Sequence, residues 1–142
     1  VGGVRVFLFD IDEDKSRQQA DRLLKRYWRV KHIAGSASHL KSPICDHAPK
    51  SFSSDNTTEK RAVKTLEARQ TLEYIDVALS KLTVINRELL KMQYLSAGKL
   101  TMAYICGELG ITASSFKKHK KQALLEFSES YPSEGLLIFK KH

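Results

Sequence analysis

Apolar residues recur three and four positions apart through most of the chain, a spacing that predicts helices rather than strands. Asp12 is placed to cap a first helix and Gly35 to end it, with one apolar stripe between them, formed by Ala20, Leu23, Leu24, Tyr27, Val30 and Ala34. Similar stripes predict a second helix over residues 58–82 and a third over residues 83–97. The pattern therefore indicates an all-α fold.

The apolar positions of the second and third helices differ in spacing. In the second they alternate steps of four and three, at Ala68, Leu72, Ile75, Leu79 and Leu82. This spacing fits core packing, the favoured interpretation, or a short coiled-coil seam between two copies. The third helix is expected to turn inward Ile85, Leu89, Leu90, Met92 and Leu95.

The stretch from Thr101 to Phe127 reads as two short helices joined by a tight turn. Thr101 and Thr112 stand where each helix begins and are expected to cap it. Gly110 ends the first helix, where a left-handed residue is favourable only for glycine. The two helices are expected to face each other through Met102, Ile105, Cys106 and Leu109 of the first, and Phe116, Ala123, Leu124 and Phe127 of the second.

Three packing positions around the turn make this pattern more specific than a run of charge. A small residue, Cys106, lies four before the glycine, apolar Ile111 directly after it, and bulky Phe116 six after it. These features predict a helix-turn-helix whose second helix lies in the DNA major groove. The alternative is an ordinary helical hairpin whose outer face happens to be rich in lysine.

The chain divides by composition into four predicted parts. Residues 1–34 form an N-terminal extension and basic helix that packs through Leu24, Tyr27 and Trp28, and residues 35–57 a linker containing Pro43 and Pro49. Residues 58–131 form the helix-turn-helix domain of about four helices, and residues 132–142 a tail. Two short apolar runs, residues 4–9 and 136–139, are candidates for pairing as strands.

The charge balance indicates what the protein binds more than how it folds. Lys and Arg number 24 against 16 Asp and Glu in 142 residues, a net charge of +8. This favours a polyanion, and nucleic acid over a membrane, because no run approaches the roughly 20 apolar residues of a membrane span. Without a visible secretory leader, Cys45 and Cys106 are expected to be reduced thiols, and the protein to be cytoplasmic and nucleoid-associated in a bacterial host.

The sequence offers no arrangement typical of an enzyme. Its five histidines are scattered, and it contains no phosphate-binding G-x-x-x-x-G-K-[ST] loop. Cys45, Asp46 and His47 lie together, but no second pair of ligands follows at a zinc-site spacing. We therefore expect no catalytic residue, metal or cofactor, and interpret His119 as a packing residue of the second helix.

Residues Thr101–Phe127 resemble the helix-turn-helix of region 4 in bacterial sigma-70-type factors, without a gap around Glu108-Leu109-Gly110, Thr112 and the final Ala-Leu. A wider resemblance is to the ArpU-type (RinA-like) late transcription regulators of phages and prophages of Gram-positive bacteria. It begins at Ile11-Asp12-Glu13 and includes LLKRYWRVKHIAG, LKSPICDHAP and ALLEFSESYPSEGLLIFK, whereas residues 1–9 match poorly. The resemblance implies a protein that activates late packaging and lysis genes, or autolysin export. It also implies host RNA polymerase as a partner.

The function expected from these features is sequence-specific binding of double-stranded promoter DNA. The expected DNA contacts on the helix-turn-helix are Thr101, Thr112, Ser114, Ser115, Lys117, Lys118 and Lys121. A second phosphate-contacting surface is expected on the N-terminal helix, at Arg22, Lys25, Arg26 and Arg29. Two alternatives remain open: a small terminase-type DNA-recognition subunit, and an interaction adaptor whose basic face meets an acidic protein.

Overall fold

The computed structural model describes residues 11–35, 55–133 and 135–140. In these ranges the chain is helical, with a π-helical turn at Lys91–Leu95 after the fourth helix. The helices are α1 (Glu13–Lys25), α2 (Tyr27–Gly35), α3 (Asp55–Ser80), α4 (Val84–Leu90), α5 (Met102–Leu109) and α6 (Ala113–Ser130). The described residues contain no strand, only an isolated antiparallel bridge between Ile11 and Phe139. The prediction of an all-α fold is confirmed.

The chain forms two compact units, Val1–Lys25 with Tyr74–His142, and Arg26–Glu73. The first contains α1, the last turns of α3, and α4 to α6; the second contains α2 and most of α3. The boundaries expected from composition, at residues 34, 57 and 131, differ from this division and stay a prediction. The linker, its two prolines and the apolar run 4–9 lie outside the described residues.

The core of the first unit forms around α6. Helices α1, α4 and α5 each pack against it, and α4 also packs against α5. The residues that this packing removes most completely from water are Ala20, Leu24, Leu89, Leu90, Ile105, Ala123 and Phe127. Burial of such side chains supplies roughly 1.5–3 kcal/mol for each large one. Helix α6 therefore has one face committed to the core and another left to solvent.

Hydrogen bonds that involve buried Ser16 and Ser128 connect the start of α1 with the C-terminal segment and with α6. The Asp12 N–H donates to the Ile138 carbonyl at 2.7 Å, and the Ile138 N–H donates to Ser16 Oγ at 2.8 Å. From α6, Ser128 Oγ donates to the Ser16 carbonyl at 2.8 Å. Residues 136–139 are thus held by hydrogen bonds to α1, and Leu136 is buried.

The first predicted helix is interrupted. Asp12 does cap it, accepting from the Lys15 N–H at 3.1 Å, but α1 ends at Lys25 and α2 begins at Tyr27. The prediction that Trp28 packs inward is wrong, since its side chain is 43% exposed. Trp28 lies on an exposed face of α2, which belongs to the second unit.

Two other predicted core residues are exposed, Ile85 at 42% and Met102 at 46%. In α4 the inward positions are Asn86, Leu89 and Leu90, which leaves Ile85 beside the buried face. Met102 is the first residue of α5. The stripe expected on the second helix is buried at Ala68, Ile75, Leu79 and Leu82, although α3 begins at Asp55, three residues before the expected start.

Candidate functional site

The first helix of the Thr101–Phe127 pair has the two ends that its sequence predicts. Thr101 Oγ1 accepts a hydrogen bond from the Tyr104 N–H at 3.1 Å and so satisfies a donor of the first turn. At the other end Gly110 has φ +69°, a left-handed conformation, and its N–H donates to the Cys106 carbonyl. Both predictions for α5 are confirmed.

The second helix follows after three residues. Thr112 Oγ1 accepts from the Ser115 N–H at 3.2 Å, and Cys106 Sγ lies 3.8 Å from the Thr112 carbonyl. A larger side chain at position 106 would therefore meet the turn itself. The caps and the small residue together determine where α6 starts relative to α5.

Helix α6 separates apolar and basic residues onto different faces. Phe116, Ala123, Leu124 and Phe127 are buried, as predicted. The residues expected to contact DNA lie toward solvent: Ser114, Lys117, Lys118 and Lys121 are exposed and Ser115 is half-buried. Ser115 Oγ also donates to the Thr112 carbonyl at 3.0 Å, so its hydroxyl already takes part in the cap.

The exposed lysines of α6 have no acidic partner among the described residues. The ion pairs of the described ranges lie on α1 and α4, and none includes Lys117, Lys118 or Lys121. A charge left unneutralised on a rigid helix is available to an anionic ligand.

An open groove of about 490 Å³ runs between α1 and α6. Its lining consists of Asp14, Arg17, Gln18, Asp21 and Lys25 on α1, and Lys117, Lys120, Lys121 and Leu124 on α6. Three of the predicted site residues, Lys25, Lys117 and Lys121, are brought together here. Arg17 and Lys120 also line it, and the sequence pattern did not single them out because their surroundings depend on which helices meet.

Tyr94, in the π-helical turn, joins the two walls of this groove. Its hydroxyl donates to Asp21 Oδ1, and the Lys120 ammonium lies 5.6 Å from the centre of its ring. Burial raises the pKa of the Tyr94 hydroxyl well above its usual value, and the bond to Asp21 adds to this. For Asp21, burial acts to raise the pKa, but the Tyr94 hydrogen bond and the Lys25 ammonium at 3.0 Å outweigh it, leaving the pKa lowered.

The expected second basic surface is divided between the two units. Arg22 and Lys25 are exposed on α1 in the first unit, whereas Arg26 and Arg29 are exposed in the second. In the second unit, the Lys31 ammonium lies 4.8 Å from the centre of the exposed Trp28 ring. This segment therefore presents an aromatic ring together with its cations.

The described part of the chain holds no cluster of three or more His, Cys, Asp or Glu residues suited to a metal ion. Cys45, Asp46 and His47 lie outside that part. His119 is half-buried on α6, consistent with packing. None of the described helices has the length and apolar character needed to cross a membrane.

The fold and site define a basic, all-helical protein in which a doubly capped helix pair presents lysines that form no ion pair with any carboxylate of the described ranges. The chain is similar to a protein of Enterococcus hirae named "Putative autolysin regulatory protein ArpU", with 28% identity over 134 residues, covering 94% of this chain and 98% of that protein. No protein-family profile and no solved structure matches the chain.

Proposed function

We propose that this protein is a transcriptional regulator that binds double-stranded DNA in a sequence-specific way. The observation that carries the proposal is the exposed lysine face of α6, placed by a capped three-residue turn and free of described acidic partners. A helix held in this way at the protein surface is the usual means by which a helix-turn-helix enters the major groove.

The proposed binding mode assigns chemistry to the predicted residues. Lysine on α6 donates to guanine O6 and N7. The exposed Ser114 hydroxyl donates to acceptors on the base edges or accepts from donors there. Thr101 and Thr112 lie at helix starts, where N–H groups and hydroxyls meet phosphate and determine how the protein is positioned along the duplex. Arg22 and Lys25 supplement these contacts from α1, and Arg26 and Arg29 from the second unit.

The regulatory part of the proposal is supported by the similarity to a protein named as an autolysin regulator. The resemblance of the sequence to ArpU-type regulators extends the proposal to activation of phage or prophage late genes, for packaging and lysis. In this mode the protein binds at a promoter in the bacterial cytoplasm and acts on host RNA polymerase.

The test is selection of bound duplexes from a random DNA pool, followed by measurement of affinity for the selected duplex at several salt concentrations. If about six phosphates are contacted, the log–log slope of affinity against salt should be roughly −5. Replacing Lys117 and Lys118 together with Ala should weaken binding, and binding to the selected duplex should fall further than binding to random duplex.

The matched control removes the same charge from exposed lysines elsewhere in the first unit, with Lys81→Ala and Lys99→Ala. This variant should keep its preference for the selected duplex. Failure to enrich any sequence, with no saturable binding to duplex DNA, would favour the interaction adaptor instead.

A further inference from the structure

The lysines of α6 do not all point the same way. Successive helical residues are rotated by about 100°, so Lys117, Lys120, Lys121 and Leu124 share one side of α6. That side lines the groove against α1. Lys118 lies on a different line with Ser114 and Gln122, all three exposed and none lining the groove. The basic face therefore has two parts: a flank of lysines that lines the groove, and an outward-facing line formed by Ser114, Lys118 and Gln122.

The groove carries an excess of positive charge that its own acids do not cancel. Its two carboxylates form their ion pairs on the α1 side, Asp14 with Arg17 and Asp21 with Lys25, and Asp21 also interacts electrostatically with Lys120 across the groove. Asp21 also accepts the Tyr94 hydroxyl hydrogen bond. The α6 wall contributes three lysines, of which Lys117 and Lys121 are exposed and form no ion pair with a described carboxylate.

Lys120 is held more firmly than its neighbours. It is half-buried, and its ammonium lies over the Tyr94 ring at 5.6 Å. A cation over an aromatic face is attracted by the ring electrons, and here the ring is itself anchored by its hydrogen bond to Asp21. Three elements, α1, the π-helical turn and α6, thus combine to place one cation at the groove.

A helix in the major groove meets two kinds of DNA surface. Residues on its outward-facing line face the base edges, while residues on its flanks face the sugar–phosphate backbones on either side of the major groove. We propose that the α1/α6 groove seats the phosphate backbone of one DNA strand, held by Lys117 and Lys120, and that Lys118 reads bases. This rests on the proposed function and separates the residues that hold DNA from the one that discriminates.

The test compares single alanine variants of the full chain on the selected duplex and on random duplex of equal length. Lys117→Ala and Lys120→Ala should lower affinity on both duplexes by the same factor and make the salt slope shallower by about 0.9 each. Lys118→Ala should instead reduce discrimination between the duplexes by roughly 5- to 150-fold. Lys99→Ala serves as the matched control, and circular dichroism should show unchanged helicity for all four.

Tyr94 provides a second test that leaves the lysines intact. Tyr94→Phe keeps the ring beneath Lys120 but removes the hydroxyl bond to Asp21. The Asp21 carboxylate keeps its ion pair with Lys25 but loses the hydrogen bond that offsets part of its charge, so it should repel phosphate more strongly and affinity should fall on both duplexes without loss of discrimination. Asp21→Asn should raise affinity more in the Tyr94→Phe background than in the unmodified protein, which a merely structural role of Tyr94 would not predict.

The outcomes distinguish failure of the groove assignment from failure of the proposed DNA binding. Loss of discrimination in Lys117→Ala or Lys120→Ala, or unchanged affinity and salt slope in both, overturns the groove assignment while leaving DNA binding in place. Absence of saturable duplex binding by the unmodified protein overturns both proposals.

Discussion

Two stretches of this chain, Arg22–His32 and Lys117–Lys121, look alike in sequence, because both are basic, helical and free of acidic residues. The two stretches differ in how the structure holds them. The second lies on one uninterrupted helix, α6, whose start is determined by the Thr112 cap. The first is broken at Arg26, so that its cations are divided between two compact units.

The difference lies in what each helix buries. Helix α6 buries Phe116 and Phe127 and holds its lysines in fixed directions, while α1 buries Ala20 and Leu24 against α6. Helix α2 buries Ala34 and leaves Trp28 exposed beside its cations. Similar charge thus accompanies different packing: the lysines of α6 lie on a helix that buries several large side chains, whereas α2 fully buries only Ala34.

The largest effect is expected from removing Leu24, the side chain that anchors α1 in the core. Leu24→Ala should destabilise the first unit by about 2–5 kcal/mol, because Leu24 is 1% exposed and its loss leaves a cavity. Leu66→Ala on α3 is the matched control, 64% exposed and expected to change stability by at most about 0.5 kcal/mol. Urea unfolding followed by circular dichroism measures both.

Deletion of residues 1–34 extends the same test. Because it removes α1 from the packing around α6, we expect it to unfold the first unit rather than release an independent DNA-binding domain. A stable, cooperative truncated protein would show that α1 is an accessory and that the boundary expected near residue 34 is correct.

The next largest effect is expected at the turn that orients α6. Gly110→Val should cost on the order of 1–3 kcal/mol through backbone strain, since Gly110 has φ +69°. Specific DNA binding should fall with it, as α6 loses its position. Gly98→Ala is the control, because no atom lies within 4 Å of the added Cβ and its φ is not positive. Equal stability of the two variants would contradict this account of the turn.

A smaller effect, on binding rather than stability, should sharpen the contrast between the basic stretches. Arg26→Ala with Arg29→Ala should make the salt slope shallower by about 1.8 and leave sequence preference unchanged, if both contact phosphate. The fluorescence of Trp28, the single tryptophan of the chain, reports on this segment directly. An unaltered slope, with no change of fluorescence on adding duplex, would make this stretch a surface without a role in DNA binding.

The smallest expected effect concerns Asp21. Its pKa is lowered from the ordinary 3.8, so its contribution to stability is present above that value and is lost as pH falls through the lower folded value. Tyr94→Phe removes the principal cause of the lowering. The stability difference between the two proteins should therefore shrink in strong acid, and at neutral pH should be about 1 kcal/mol, the usual net value of a hydrogen bond that is only partly buried.

Features that depend only on neighbours along the chain are predictable from the sequence. The caps at Thr101 and Thr112 and the left-handed Gly110 each involve groups within four residues, so local chemistry is sufficient to predict them. The buried face of α6 follows likewise from the 3.6-residue repeat, and the all-α class from the same periodicity along the chain.

Which helical faces meet depends instead on the packing of the whole chain. The Tyr94–Asp21 hydrogen bond joins residues 73 apart, and the groove exists because α1 packs beside α6, a pairing that no local spacing encodes. The exposure of Trp28, Ile85 and Met102 has the same origin. An apolar residue at helical spacing is buried only if another element covers that part of its helix, and the choice of covering element is made by the whole chain.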